Sequence, residues 1–126
     1  MNRKIIITAC IFGIIAVISG AFGAHGLKQL IAPSDLENWK TAVNYHFYHT
    51  LVLLFLSVVP LKSKYTNLSY YTFLLGIIFF SGSLYLLATR SITGLPVSVL
   101  GPITPLGGLM FILGWVFLLL AAIKNK

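Results

Sequence analysis

Four long apolar runs dominate this chain, at residues 5–23, 41–60, 69–89 and 103–123, and each holds 19–21 residues. At about 1.5 Å per helical residue, each reaches across a hydrocarbon core of about 30 Å. Such a core offers no water to the backbone, so a lone apolar run satisfies its own N–H and C=O groups as a helix. Only 9% of the 126 residues are charged, and 58% are hydrophobic. A soluble domain carries about 25% charged residues, so a water-facing surface cannot be covered here. The sequence therefore predicts an all-α integral membrane bundle of four transmembrane helices, a single domain over residues 1–126. Too little chain remains for a soluble catalytic domain, so any activity sits in the helices or their short loops.

The formal net charge of +7 orients the bundle and does not announce a nucleic-acid partner. Arg3, Lys4, Lys62, Lys64, Lys124 and Lys126 fall on one side of a four-span arrangement. Lys28, Lys40 and Arg90 fall on the other, with the two acids Asp35 and Glu37. The excess of basic residues on the first side predicts cytoplasmic termini in a cell (inner) membrane protein, with membrane lipids as neighbours. Cys10 is the single cysteine and has no intrachain partner. The apolar stretch before it is too short for a lipoprotein signal. The first run exceeds a usual signal-peptide core, and its small residues Ala16, Gly20 and Ala24 suit close helix packing, so it is expected to be retained. The Asn67-Leu68-Ser69 glycosylation pattern falls in the expected cytoplasmic loop.

Ser34 and Glu37 have the spacing of a capping box, which predicts a second helix starting near Asp35, outside the membrane. The stretch at residues 91–102 is apolar but holds Gly94, Pro96, Gly101 and Pro102. It is expected to be non-helical and to fold over the outer end as a lid or shallow re-entrant hairpin. Thr104-Pro105 then reads as the N-cap and first residue of the fourth helix.

Polar groups inside a membrane are costly, so their positions carry the most information. At 100° per residue, Ala42, His46, His49 and Leu53 share one stripe of the second helix, while Phe47, Leu51 and Phe55 lie opposite and face lipid. Ser81, Ser83 and Tyr85 fall at matching depths on the third helix, where Gly76, Ser83 and Arg90 align. His25 ends the first helix on that side. The polar set His25, Tyr45, His46, His49, Ser81, Ser83, Tyr85, Arg90, Thr104, Gly107 and Gly108 therefore gathers in the outer leaflet, as a ligand pocket or a structural cluster. His25, His46 and His49 have the donor type for zinc or copper. Neutral histidines also bond across helices, with Tyr45, Tyr85 or Ser83 as partners, and this reading is preferred. Haem would need axial histidines on different helices. Arg90 suits an anion or loop carbonyls, and Gly107 and Gly108 suit an anion or close packing. Gly76, Gly82 and Gly114 read as packing positions. No cofactor is expected.

Several segments together carry a resemblance. They are Gly20-Ala21-Phe22-Gly23-Ala24-His25-Gly26-Leu27, Trp39-Lys40-Thr41-Ala42 with Tyr45-His46-Phe47-Tyr48-His49, Phe80-Ser81-Gly82-Ser83-Leu84-Tyr85, residues 101–108 and Gly114-Trp115. They resemble the transmembrane protein 256-like family of small membrane proteins, catalogued as domain of unknown function 423. The resemblance implies four helices and no established activity. It also implies that His25, Trp39, Tyr45, His49, Ser81, Gly82, Tyr85, Pro105, Gly107 and Gly108 occupy motif positions. In the bacterial pattern glutamine is common at position 46 and alanine at 50, so His46 and Thr50 depart from it. A role that glutamine can fill is hydrogen bonding, not metal ligation.

Three classes of function follow. The first is a non-enzymatic bundle that binds a lipid, a small ligand or a membrane partner through the outer polar pocket. The second is a small oligomeric transporter or channel, although no span holds the acid that proton-coupled export needs. The third is a histidine-based metal or redox site, without the cysteine cluster or acid pair usual in such chemistry. A homo-oligomer or another membrane protein fits the first two.

Overall fold

The computed structural model describes residues 2–125. Helix α1 runs Arg3–Ala24, and a 3-10 turn at Leu27–Gln29 leads to α2, Pro33–Val58. Helix α3 runs Lys64–Ala88 with a π-helical turn at Ile77–Ser81. The short α4, Arg90–Thr93, precedes α5, Val97–Lys124. The chain is thus an all-α bundle of the multi-span membrane type. Helices α1, α3 and α5 are long and apolar enough to cross a membrane; α2 is long enough but more polar.

Local chemistry sets most of the boundaries. Asn2 caps α1 by accepting from the Ile5 N–H at 3.2 Å, and Ser63 caps α3 by accepting from the Tyr65 N–H at 3.1 Å. Helix α4 ends on Gly94, whose φ of 74° is a left-handed conformation open to glycine. The expected Ser34 capping box does not form. Ala32 is the N-cap of α2, and Pro33 takes the first helical position, where its fixed φ fits and its missing N–H costs nothing.

The largest departure from the sequence reading is the start of α5. The segment expected to be a non-helical lid is mostly helix: Pro96 is the N-cap, and Pro102 and Pro105 lie inside α5. Their missing N–H groups leave the Ser98 and Gly101 carbonyls without helical donors. Those carbonyls lie at the open start of the helix, not in a packed interior, so helix persists through both prolines. Thr104 is accordingly mid-helix and caps nothing. Residues 91–99 are exposed, so they extend the bundle and do not cover it.

The helices run alternately up and down. The Asn2 N–H donates to the Ser57 carbonyl at 2.6 Å, placing the start of α1 beside the end of α2. The Thr8 and Tyr70 hydroxyls pair at 2.9 Å, bringing in the start of α3. Lys124 lies over the Tyr65 ring, so α5 ends there too. This terminal end stands opposite a distal end formed by residues 25–32 and 89–96. Helix α1 packs chiefly on α2 and α3 on α5, while α2 joins the pairs through the distal half of α3.

An apolar core of Ile5, Ala9, Leu53, Leu56, Tyr70, Phe73, Ile77 and Phe111 fills the half nearer the terminal end. Glycines set its closest approaches. A Cβ at Gly107 would overlap the Phe80 backbone, and one at Gly114 would lie 2.6 Å from the Phe73 ring. Gly82 differs from the packing role expected of it, because nothing lies within 4 Å of the Cβ it lacks. Ala24, expected in a packing stripe, is exposed. The outside is apolar: Ile14, Ile18 and Ile112 are each more than 60% exposed. That surface suits hydrocarbon.

Candidate functional site

One face of α2 carries Asp35, Trp39, Ala42, His46, His49 and Leu53, all buried, while Phe47, Leu51 and Phe55 point outward. The spacing repeats at three and four residues, so the side chains stack along the face that meets the other helices. Each polar side chain on it makes at least one bond to another helix or to its own backbone.

His49 is held at both ring nitrogens. Its Nδ1 lies 2.8 Å from the Tyr45 carbonyl, an acceptor, so Nδ1 bears the proton and donates. Nε2 is then a bare acceptor, and the Trp115 indole N–H donates to it at 3.2 Å. The ring also stacks on Phe111 at 3.7 Å with only 9° between planes. A metal at either nitrogen would displace an existing bond.

His46 pairs through Nδ1 with the Tyr85 hydroxyl at 2.8 Å. Its Nε2 is the one buried side-chain nitrogen or oxygen without a partner among the described residues. The Phe12 ring meets the His46 ring edge to face, with centroids 5.9 Å apart. Trp39 extends the cluster toward α1, donating from Nε1 to the Ser19 carbonyl at 2.8 Å and packing on Tyr85 at 4.6 Å.

The serines close the remaining gaps. Ser81 Oγ donates to the Ala42 carbonyl at 2.7 Å, joining α3 to α2. Ser83 Oγ bonds the Thr104 hydroxyl at 2.6 Å, joining α3 to α5. The π-helical turn ending at Ser81 shifts the phase of α3 by about one residue. That shift accompanies the split between Ser81, turned to α2, and Ser83, turned to α5. At the distal limit, Arg90 Nη1 donates to Asp35 Oδ1 at 2.7 Å and to the Leu87 carbonyl at 2.9 Å. Asp35 is buried, and Arg90 is about one-third exposed at 37%.

The structure thus brings together His46, Ser81, Ser83, Tyr85, Arg90 and Thr104 in the distal half, whereas His49, about 24 Å from the start of α2 and about 14 Å from its end, packs on Phe73 and Phe111 nearer the terminal end. Tyr45 contributes its carbonyl and packs its ring on Phe80, with centroids 4.8 Å apart. His25 stands apart: it is exposed at the end of α1, where its backbone N–H donates to the Phe22 carbonyl. The three-histidine set is therefore not assembled, and among the described residues no three His, Cys, Asp or Glu side chains could hold a metal ion. Gly107 and Gly108 lie inside α5 and not in its first turn, which removes the anion-binding helix start expected of them.

Sequence reasoning missed the partners more than the residues. Asp35–Arg90 links residues 55 apart, and no periodicity registers such a pair. Trp115 was within reach, because an indole N–H in an apolar run needs an acceptor. A separate cleft of about 920 Å³ opens at the terminal end, between the start of α1, the end of α2 and the start of α3. A smaller apolar groove of about 240 Å³ lies between α1 and α2.

No solved structure matches this chain. A family model described as "Protein of unknown function (DUF423)" matches residues 19–108. The chain is 43% identical to a UPF0382 membrane protein of Staphylococcus aureus (strain bovine RF122 / ET3-1), over 97% of each. It is 42% identical to the UPF0382 membrane protein YwdK of Bacillus subtilis (strain 168), over 97% of this chain and 98% of that one. A UPF0382 membrane protein of Haemophilus influenzae is 35% identical over 100% of this chain and 98% of its own. The chain belongs to the DUF423 family of multi-span membrane proteins, whose function is unknown.

Proposed function

We propose that this chain is a non-enzymatic bundle that crosses the cell (inner) membrane four times, with both termini in the cytoplasm, and that it binds a membrane component without transforming it. The component is a lipid, a small ligand or a membrane partner, a second copy included. In this reading residues 1–126 form one domain of the kind suggested by the likeness to transmembrane protein 256-like proteins. Helix α2 counts as a span because, past the polar start at 33–44, its polar residues His46, His49, Thr50 and Ser57 are buried. Its outward face is Phe47, Leu51, Leu54, Phe55 and Val58. A helix of 26 residues is about 39 Å long.

One observation carries the non-enzymatic reading: His49 has both ring nitrogens committed and a ring stacked on Phe111. Acid–base or metal chemistry needs a nitrogen with a free position. The neighbouring Ser81, Ser83, Thr104 and Tyr85 also bond between helices. The cluster therefore acts as the lock that holds four helices in register. A ligand entering the distal half would have to open that lock.

The test is metal analysis and native mass spectrometry of the full chain purified in mild detergent. The expected result is a retained non-protein mass without stoichiometric metal, and a His49→Ala variant that melts earlier but keeps the bound mass. Stoichiometric zinc or copper that disappears in His49→Ala would overturn the reading. A tag at either terminus that is accessible from outside intact cells would overturn the orientation.

A further inference from the structure

The cleft of about 920 Å³ at the terminal end is lined by four basic side chains, Arg3, Lys4, Lys62 and Lys64, and by no Asp or Glu. The chain has only two acids, Asp35 and Glu37. Both start α2 at the distal end, and α2 reaches the cleft at Leu56–Val58, about 30 Å away along the helix. They are paired there already, Asp35 with Arg90 and Glu37 with Lys40. Among the described residues the cleft's cations therefore have no carboxylate partner.

Two of the cations are also held in place. Lys4 Nζ donates to the Tyr71 hydroxyl at 2.9 Å and lies 5.2 Å from the centre of that ring. Lys64 Nζ lies 5.3 Å from the centre of the Tyr65 ring. Helices α1 and α3 both begin at the cleft, so two positive helix ends add to the side-chain charge. The carbonyl end of α2 offsets part of this, but it carries about half a charge against four cations. Asn67, Ser63 and Thr66 supply polar atoms, and Val58, Val59 and Leu61 supply an apolar wall. Cations, hydroxyls and an apolar wall together fit a phosphate carried on an apolar or small organic body.

We propose that this cleft binds a phosphate group whose charge is not balanced by a cation of its own, as in the headgroup of an acidic phospholipid or in a soluble phosphoester. The proposal rests on the reading that the bundle binds a membrane component, and it supplies the place and the chemistry.

The experiment compares retention of phosphatidylglycerol and phosphatidylcholine by native mass spectrometry, with the full chain in neutral detergent. It uses wild type, the pair Lys62→Gln/Lys64→Gln, and the charge-matched pair Lys28→Gln/Lys40→Gln at the distal end. All four lysines are exposed, so folding survives, and melting curves check it. The expected result is preferential retention of phosphatidylglycerol by wild type and by the distal pair. Retention should fall about tenfold in the Lys62/Lys64 pair, from the loss of two surface cations. Glycerol phosphate then separates the sources. Displacement of the lipid by millimolar glycerol phosphate assigns the site to soluble phosphoesters, and persistence assigns it to the lipid headgroup. Equal retention of both lipids, or equal losses in the two variant pairs, overturns the proposal. Lipid retention that ignores the Lys62/Lys64 pair removes the cleft while leaving the bundle's binding role intact.

Discussion

The two ends of the bundle manage polarity in opposite ways. At the distal end both acids are paired, Asp35 with Arg90 and Glu37 with Lys40, and the polar side chains beneath them bond between helices. At the terminal end four cations line an open cleft that, among the described residues, holds no carboxylate. A closed network holds a fold together, because opening it leaves buried polar groups unsatisfied. An open, uncompensated one attracts something from outside. Polarity placed in a membrane protein is therefore not by itself a sign of a binding site; its partners decide.

Substitutions that break this contrast differ in their expected effect. The largest belongs to Gly107→Leu, which drives a side chain into the Phe80 backbone where α3 and α5 cross. Overpacking typically costs about 1–3 kcal/mol, and backbone overlap puts this case at the upper end or beyond. Thermal melting in detergent should show a steep loss. The unobstructed Gly82→Ala should melt near wild type.

Next comes Arg90→Ala, which leaves buried Asp35 without its cation. Breaking a fully buried pair costs about 3–5 kcal/mol. Arg90 is partly open to solvent, so about 1–3 kcal/mol is expected after screening. Adding Asp35→Asn to Arg90→Ala should recover much of that loss, which a melting double-mutant cycle measures.

Ser83→Ala removes one helix–helix bond to Thr104. Such bonds average about 0.6 kcal/mol in a membrane, so a small downward shift in melting is expected. Smallest of all is Lys62→Gln with Lys64→Gln. Exposed changes stay within about 0.5 kcal/mol, so melting without added lipid should not move. A terminal end that lost stability like the distal end would erase the contrast.

The helices and their inward faces were legible because lipid imposes them. A run of about 20 apolar residues has few alternatives, and the 100° spacing of His46 and His49 turns both toward the interior. The distal half of the polar set was legible for the same reason. What escaped were features set by tertiary contact. The π-helical turn at Ile77–Ser81 leaves no compositional mark. The Asp35–Arg90 pair spans two helices, and the basic cleft joins two chain segments, 2–5 and 56–67, far apart in sequence. The prolines of α5 misled in a more specific way. Their helix-breaking cost is real in a packed interior, but Pro102 and Pro105 follow an exposed start where freed carbonyls are less costly.

The contrast between the ends is tested most directly by the rise in melting temperature that added phosphatidylglycerol produces in wild type, His49→Ala and Lys62→Gln/Lys64→Gln. A ligand that binds the folded form raises its apparent stability. The predicted result is equal rises in wild type and His49→Ala, although His49→Ala starts lower, and a clearly smaller rise in the Lys62/Lys64 pair. A lipid response lost in His49→Ala and kept in the Lys62/Lys64 pair would place the binding among the interhelical polar groups around His49 and contradict the account.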